Sequence, residues 1–368
     1  MILILNHIII TIVVFFENLS CYQSFSFILF YLLFVLSLFF SSMDLNSNNY
    51  RRVGGASAGK LAGDLMLQLL EQGQQGLADV LQTPEEVTSM VWDRLVGAWA
   101  GNGGWNLIAV PAPGTTPDDE GQFSLLINPY YEVLTFTNAG APARNRGGSV
   151  DQFVAALNYE QRVSDRKTNE LLHIESGMFL NLSKIVNNQS QDPKPIPQFN
   201  IARGGTIPHG DTILLLGRPP VLKDGVPTFP EISALPPDTG KNPPFGYLDP
   251  YLNTGIPDFK PSDTTFTLSN HLAEQKKAGI EVVNTITFAI DSQNGGGVLN
   301  IPFIRKFANA TRMTAMYWLE HMKDTNTGQE FDQLQYIQVI DIDFHKKFGG
   351  APGLITWPHV TVNTLIKQ

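Results

Sequence analysis

Downstream of residue 120 the chain repeatedly alternates apolar and polar positions with a period of two, the spacing that sends successive side chains to opposite faces of a strand. Runs of this kind at 123–127, 132–137, 169–182, 211–217, 279–290, 311–321, 334–344 and 354–365 are separated by turn-forming residues, which predicts antiparallel strands in a barrel or sandwich. Residues 60–98 follow a different rhythm. Leu61, Leu65, Leu67, Leu69 and Leu70 recur at helical spacing, and Thr83-Pro84-Glu85-Glu86 supplies an N-cap, a proline at the first helical position and early acidic residues. This predicts two short helices leading into the strands.

Residues 218–261 break the strand rhythm. They carry Pro-Pro pairs at 219–220, 236–237 and 243–244, and proline cannot donate to a sheet ladder, so this stretch reads as an excursion loop rather than a central strand. A Gly-rich break follows at 292–297, and 268–277 looks like a short helix. Gly 32 and Pro 24, with 43% hydrophobic and 16% charged residues, fit a turn-rich globular β protein. A net charge of -9 without a long basic run argues against nucleic acid as a partner, because such binding neutralises phosphates with clustered Lys and Arg. The one cysteine, Cys21, lies outside the strands, which leaves the folded body without disulfide, thiolate metal site or thiol nucleophile.

Residues 1–42 are a hydrophobic leader of two apolar runs, 8–16 and 25–40, with no Lys, Arg, Gly, Ala or Pro. Three readings fit: a signal peptide or anchor, an upstream region that is not translated, with the start at Met43, or a hydrophobic hairpin. The abrupt change of composition at Met43 favours the second. Localisation follows the choice: cytoplasmic if translation starts at Met43, secreted or membrane-anchored if 1–42 is genuine, and a membrane is a partner only in that case. The expected organisation is therefore the leader 1–42, a helical lead-in 43–93, and one β domain 94–368 with the Pro-rich insertion 218–261.

Four motifs carry candidate chemistry. Gly97-Ala98-Trp99-Ala100-Gly101-Asn102-Gly103 places a large ring among glycines, where Trp99 can close one end of a small barrel while backbones approach closely. In Leu172-His173-Ile174-Glu175-Ser176-Gly177, alternation puts His173 and Glu175 on one face, either in a wet cavity or on a solvated outer wall. Pro208-His209-Gly210 forms a turn after a strand, where His209 can equally be a turn residue in water. In the last strand His359, Thr361 and Asn363 share one face, with Val360 and Val362 on the other. A neutral imidazole held on a strand can serve as an axial ligand to haem iron, and taken alone His359 also fits a hydrogen-bonded or exposed histidine.

In order and type these motifs resemble the nitrobindin family, whose domain opens on a Gly-x-Trp-x-Gly-x-Gly strand, continues with His-x-Glu-x-Gly and a Pro-x-Gly turn, and ends on a His-bearing strand. The resemblance implies an all-β, antiparallel, roughly ten-stranded closed or nearly closed barrel of fatty-acid-binding-protein shape, with short N-terminal helices and long loop insertions. It also implies haem b as cofactor, His359 as the metal ligand, and Trp99, His173, Glu175 and Pro208 as cofactor-binding positions. The family commonly carries His-x-His on the last strand. Here Trp357 and His359 stand at that spacing, so either residue can occupy the ligand position, and the loops at 111–121, 183–200 and 218–261 can reach a pocket mouth.

The implied function is haem binding with reactivity toward small oxidants or nitrogen oxides, peroxynitrite isomerisation being the activity the resemblance suggests. The alternatives are a carrier of a small lipophile in the same barrel without haem, and a scaffold whose Pro-rich loop binds a protein partner.

Overall fold

The computed structural model describes residues 83–189, 191, 193 and 195–368, so the leader and the first lead-in helix lie outside the described residues. The lead-in ends in helix α1 (Pro84–Leu95). Its start is fixed by a reciprocal cap: the Glu86 amide donates to Thr83 Oγ1 at 3.2 Å, and the Thr83 amide donates to the Glu86 carboxylate at 2.6 Å. Val87, Val91, Trp92 and Leu95 form its buried stripe.

Strands follow as β1 (Gly97–Pro111), β2 (Phe123–Asn138), β3 (Ala143–Arg146), β4 (Val150–Asp165), β5 (Leu171–Asn187), β6 (Ile201–Ile207), β7 (Asp211–Gly217) and β8 (Val221–Asp224). After the helices α2 (Asp249–Leu252) and α3 (Phe266–Lys277) come β9 (Ile280–Asp291), β10 (Gly297–Asn300), α4 (Pro302–Phe307), β11 (Asn309–Asp324), β12 (Glu330–Lys346) and β13 (Leu354–Lys367). Ten strands close an antiparallel barrel in the order β7-β6-β5-β4-β2-β1-β13-β12-β11-β9, and the contact of β9 with β7 completes the circuit. The short strands β3, β8 and β10 pair outside that circuit. The expected architecture is thus the observed one. No helix among the described residues is long and apolar enough to cross a membrane.

The glycines of the first motif have a geometric task. The β1 register shifts between Gly101 and Gly104 against β2, which reverses the side-chain alternation along the strand. Trp99 before the shift and Asn106 after it can therefore both face inward despite their odd and even positions. A Cβ on Gly101 would lie 2.1 Å from the Thr364 carbonyl oxygen, and one on Gly104 would lie 2.4 Å from the Tyr130 ring, so neither position has room for a side chain.

The barrel interior is divided along its length. At one end Trp99, Phe136, Phe179, Phe288 and Tyr317 fill it, and α1 packs onto the same cluster. A second apolar cluster lies on the outer wall, where Leu107, Val360, Val362, Ile337, Val339, Met316 and Trp318 make a stripe across β1, β13, β12 and β11. Ile232, Ala234, Tyr251 and Phe259 of the Pro-rich segment, with Leu268 of α3, cover that stripe. The excursion is consequently a coat on the outside of the cylinder. Removing 218–261 would uncover that apolar wall and should lower the melting temperature.

Candidate functional site

The unfilled end of the barrel holds a cavity of about 400 Å3, within the range of roughly 300–1,000 Å3 typical of small-molecule sites. Its walls are mostly aliphatic: Ile108, Val110, Leu126, Val163, Ile213, Val298, Met313, Ile340 and Ile342 line it. Polar groups in the lining include His173, His209, His359, Glu175, Asp211, Asn106, Tyr130, Gln161, Tyr336 and Gln338. Three of the chain's seven histidines thus meet here, and no Lys or Arg belongs to the lining.

His359 reaches the cavity because β13 alternates as the sequence predicts: His359 and Thr361 line it, while Val360 and Val362 face the outer cluster. Its Nε2–H donates to Asn106 Oδ1 at 2.7 Å, which leaves Nδ1 as the unprotonated nitrogen. Burial, reinforced by His173 and His209 nearby, pushes its pKa down to about 3, so the imidazole is neutral across physiological pH. Trp357 lies elsewhere. It is fully buried against Phe123 and Phe344, with ring centroids 4.6 and 5.0 Å away, and its indole N–H donates to the Phe344 carbonyl. Between the two candidates of the last strand, only His359 lines the cavity.

His173 and His209 approach each other with ring centroids 5.6 Å apart, although they come from β5 and from the turn between β6 and β7. His173 Nε2 lies 3.4 Å from Glu175 Oε2. Burial alone would raise the Glu175 pKa. The Arg203 guanidinium, donating at 2.7 Å, and the hydrogen bonds from His173 and Tyr159 overcome it and hold the carboxyl down to about 2. Arg203 in turn donates to the Tyr317 hydroxyl at 2.6 Å and to Gln338. Gly205 makes this possible, since a Cβ there would lie 2.6 Å from Glu175 Oε1 and closer still to the Tyr159 hydroxyl. At the mouth burial lowers the His209 pKa and raises that of Asp211.

The remaining expected positions are distributed differently. Trp99 sits in the filled end, its indole N–H bonded to the Leu95 carbonyl at 2.8 Å, outside the cavity lining. Pro208 is exposed in the turn closed by Gly210 N–H to the Ile207 carbonyl, and its neighbours Ile207 and His209 line the cavity in its place. Sequence reasoning passed over Asn106, Tyr130, Glu132, Gln161, Arg203 and Tyr336. Arg203 alternates with Gly205 and Ile207 onto the inner face, and Tyr130 alternates with Asn128 and Glu132, which is the signal that could have found them.

Among the described residues no group of three or more His, Cys, Asp or Glu side chains is arranged to hold a bare metal ion. His359, the most deeply buried of the three histidines in the lining, offers one nitrogen, which instead suits a metal that brings its other ligands with it, as a macrocycle does. Asn106, itself part of the lining, accepts from Nε2–H and fixes the ring's tautomer.

No family model matches the chain, and no curated protein matches it. Among solved structures, the crystal structure of Rv2717c from M. tuberculosis is similar at 14% identity over 76% of this chain and 97% of that one, with a TM-score of 0.34.

Proposed function

We propose that this chain is a haem-binding β-barrel in which His359 is the axial ligand. The observation that carries the reading is an imidazole kept neutral by burial, tautomer-fixed by Asn106, on the wall of a mostly aliphatic cavity. Haem b would supply an iron able to bind small oxidants or nitrogen oxides, and the nitrobindin-like motifs support a peroxynitrite isomerase-like activity. The chain's own part would be to present one nitrogen and to exclude bulk water with aliphatic walls. Titrating the purified protein with haemin should give a saturable Soret band, absent from His359→Ala. A wild-type protein that gives no such band would sink the proposal.

The lining also supports a second reading, carriage of a lipophile without iron. No lining side chain is cationic and Arg203 is already paired with Glu175, so a fatty-acid carboxylate would find no counter-charge. This reading therefore favours an uncharged lipophile. Binding of the neutral dye Nile red that haemin does not displace would support it over haem.

A further inference from the structure

Beneath the cavity two buried phenols and a carboxyl form a chain. Tyr130 Oη lies 2.9 Å from Tyr336 Oη, and the Tyr336 hydroxyl donates to Glu132 Oε2 at 2.5 Å. Both tyrosines line the cavity, yet they are only 0% and 1% exposed. Glu132 is also 1% exposed, and its other donors are neutral: Gln161 Nε2 at 2.7 Å and Asn363 Nδ2 at 2.9 Å. Removing an electron from a phenol makes its proton strongly acidic, and in a dry site that proton needs an acceptor already in hydrogen-bond contact, because a buried radical cation would be costly.

We propose that Tyr336 is a one-electron donor to small radical oxidants in the cavity, its phenolic proton moving to Glu132 Oε2 as the electron leaves. The step balances. The oxidant, a small neutral radical such as nitrogen dioxide, gains one electron and becomes its anion. The Tyr336 O–H bond breaks, an O–H bond forms on Glu132, and a neutral tyrosyl radical remains beside a carboxylic acid. This goes beyond the haem reading, since the oxidant need only reach the cavity.

A second phenol–carboxylate contact in the barrel, Tyr159 to Glu175, sharpens the assignment. Glu175 is ion-paired to Arg203 and held near a pKa of 2, which makes it a poor proton acceptor. Burial raises the pKa of Glu132; its neutral hydrogen-bond donors and the more distant His173 oppose this, but no ion pair holds it down, which makes it the better base. The Tyr336 ring also lies 6.0 Å from that of Tyr317, which stacks on Phe288 at 4.8 Å, so the radical would form at the edge of a packed aromatic cluster, shielded from bulk water.

The test is to expose the full chain to nitrogen dioxide generated by pulse radiolysis of nitrite, and to follow freeze-quenched EPR spectra with ring-deuterated tyrosine as the marker. A persistent tyrosyl signal is expected in the wild type and in Tyr159→Phe, and its loss in Tyr336→Phe. In Glu132→Gln the signal should form about a hundredfold more slowly, the scale of a lost proton acceptor. If circular dichroism shows that Tyr336→Phe does not fold, the Glu132→Gln rate decides alone. A persistent signal that survives Tyr336→Phe, wild-type kinetics in Glu132→Gln, or no persistent signal in the wild type would each overturn the assignment. Haemin binding is read separately by the Soret titration, so failure of one proposal leaves the other standing.

Discussion

The two halves of the barrel interior are built from the same strands and differ in what the inward positions carry. Along β12, Leu334 and Tyr336 point into the filled half and its border, while Ile340 and Ile342 line open space. Along β2, Leu134 and Phe136 lie in the aromatic cluster, while Leu126 and Asn128 face the cavity. Between the halves lies a buried polar floor in which Arg203, Glu175, Tyr159, Tyr317 and Gln338 satisfy one another. The filled half supplies close packing and the open half forgoes it to keep a volume. The floor lets both exist in one cylinder, because a buried ion pair with all its hydrogen bonds made is tolerable where an unpaired charge is not.

That division can be broken most severely at the floor. Arg203→Met leaves Glu175 buried without its counter-charge and should cost about 3–5 kcal/mol in urea unfolding at neutral pH. Adding Glu175→Gln should restore much of the loss, and a single variant as stable as the wild type would show that the pair does not hold the floor. Next comes a matched pair of truncations. Phe288→Ala in the filled half should cost about 3–5 kcal/mol, whereas Ile340→Ala on the cavity wall should cost no more than about 2 kcal/mol, since its neighbours already border open space. Equal costs would erase the distinction between the halves. At the junction, Gly104→Ala drives a methyl into the Tyr130 ring and should cost about 1–3 kcal/mol.

Per pH unit, the smallest effect is in the acid limb of stability. The folded-state pKa of His359 is depressed to about 3, so below the ordinary imidazole pKa the unfolded chain takes up a proton that the native state refuses. This contribution is complete at neutral pH and is lost as pH falls toward 3, with a slope below about 1.4 kcal/mol per pH unit, the ceiling for one proton. His359→Asn should flatten that limb between pH 6 and pH 4 by about that amount at most. Glu175 acts lower still: its depressed pKa favours the fold above the ordinary carboxyl range, and that stabilisation disappears as pH approaches 2.

Most of the wall was legible in the sequence because a period of two survives wherever one face is aliphatic. β4 was not. Its inward positions Leu157, Tyr159, Gln161 and Val163 include a glutamine that bonds Glu132 and Tyr336, and an inward glutamine reads as a break in an apolar run. The runs 123–127 and 132–137 are one strand for a similar reason: Asn128, Tyr130 and Glu132 carry polar atoms inward across the apparent gap. At the site, His173, Glu175 and His359 were accessible through alternation within single strands. Their partners were not, because Asn106 meets His359 across 253 positions and Glu132 meets Tyr336 across 204, and one sequence contains no term linking such distant residues. The outer stripe was equally hidden, since its cover comes from a proline-rich segment with no period at all.

One joint in the cylinder is much thinner than the others. β7 and β9 share a single rung, Leu216 with Asp291, whereas every other neighbouring pair of the ten shares at least five. Beside it the cavity wall is completed by β10, which is laddered to β7 alone, and by Ile304 of α4. Parting the staves there sacrifices fewer backbone hydrogen bonds than anywhere else around the circumference. A rigid, plate-like guest could slip in sideways with the rest of the cylinder intact, and amide hydrogens near Leu216 should exchange with solvent ahead of those in the neighbouring long strands.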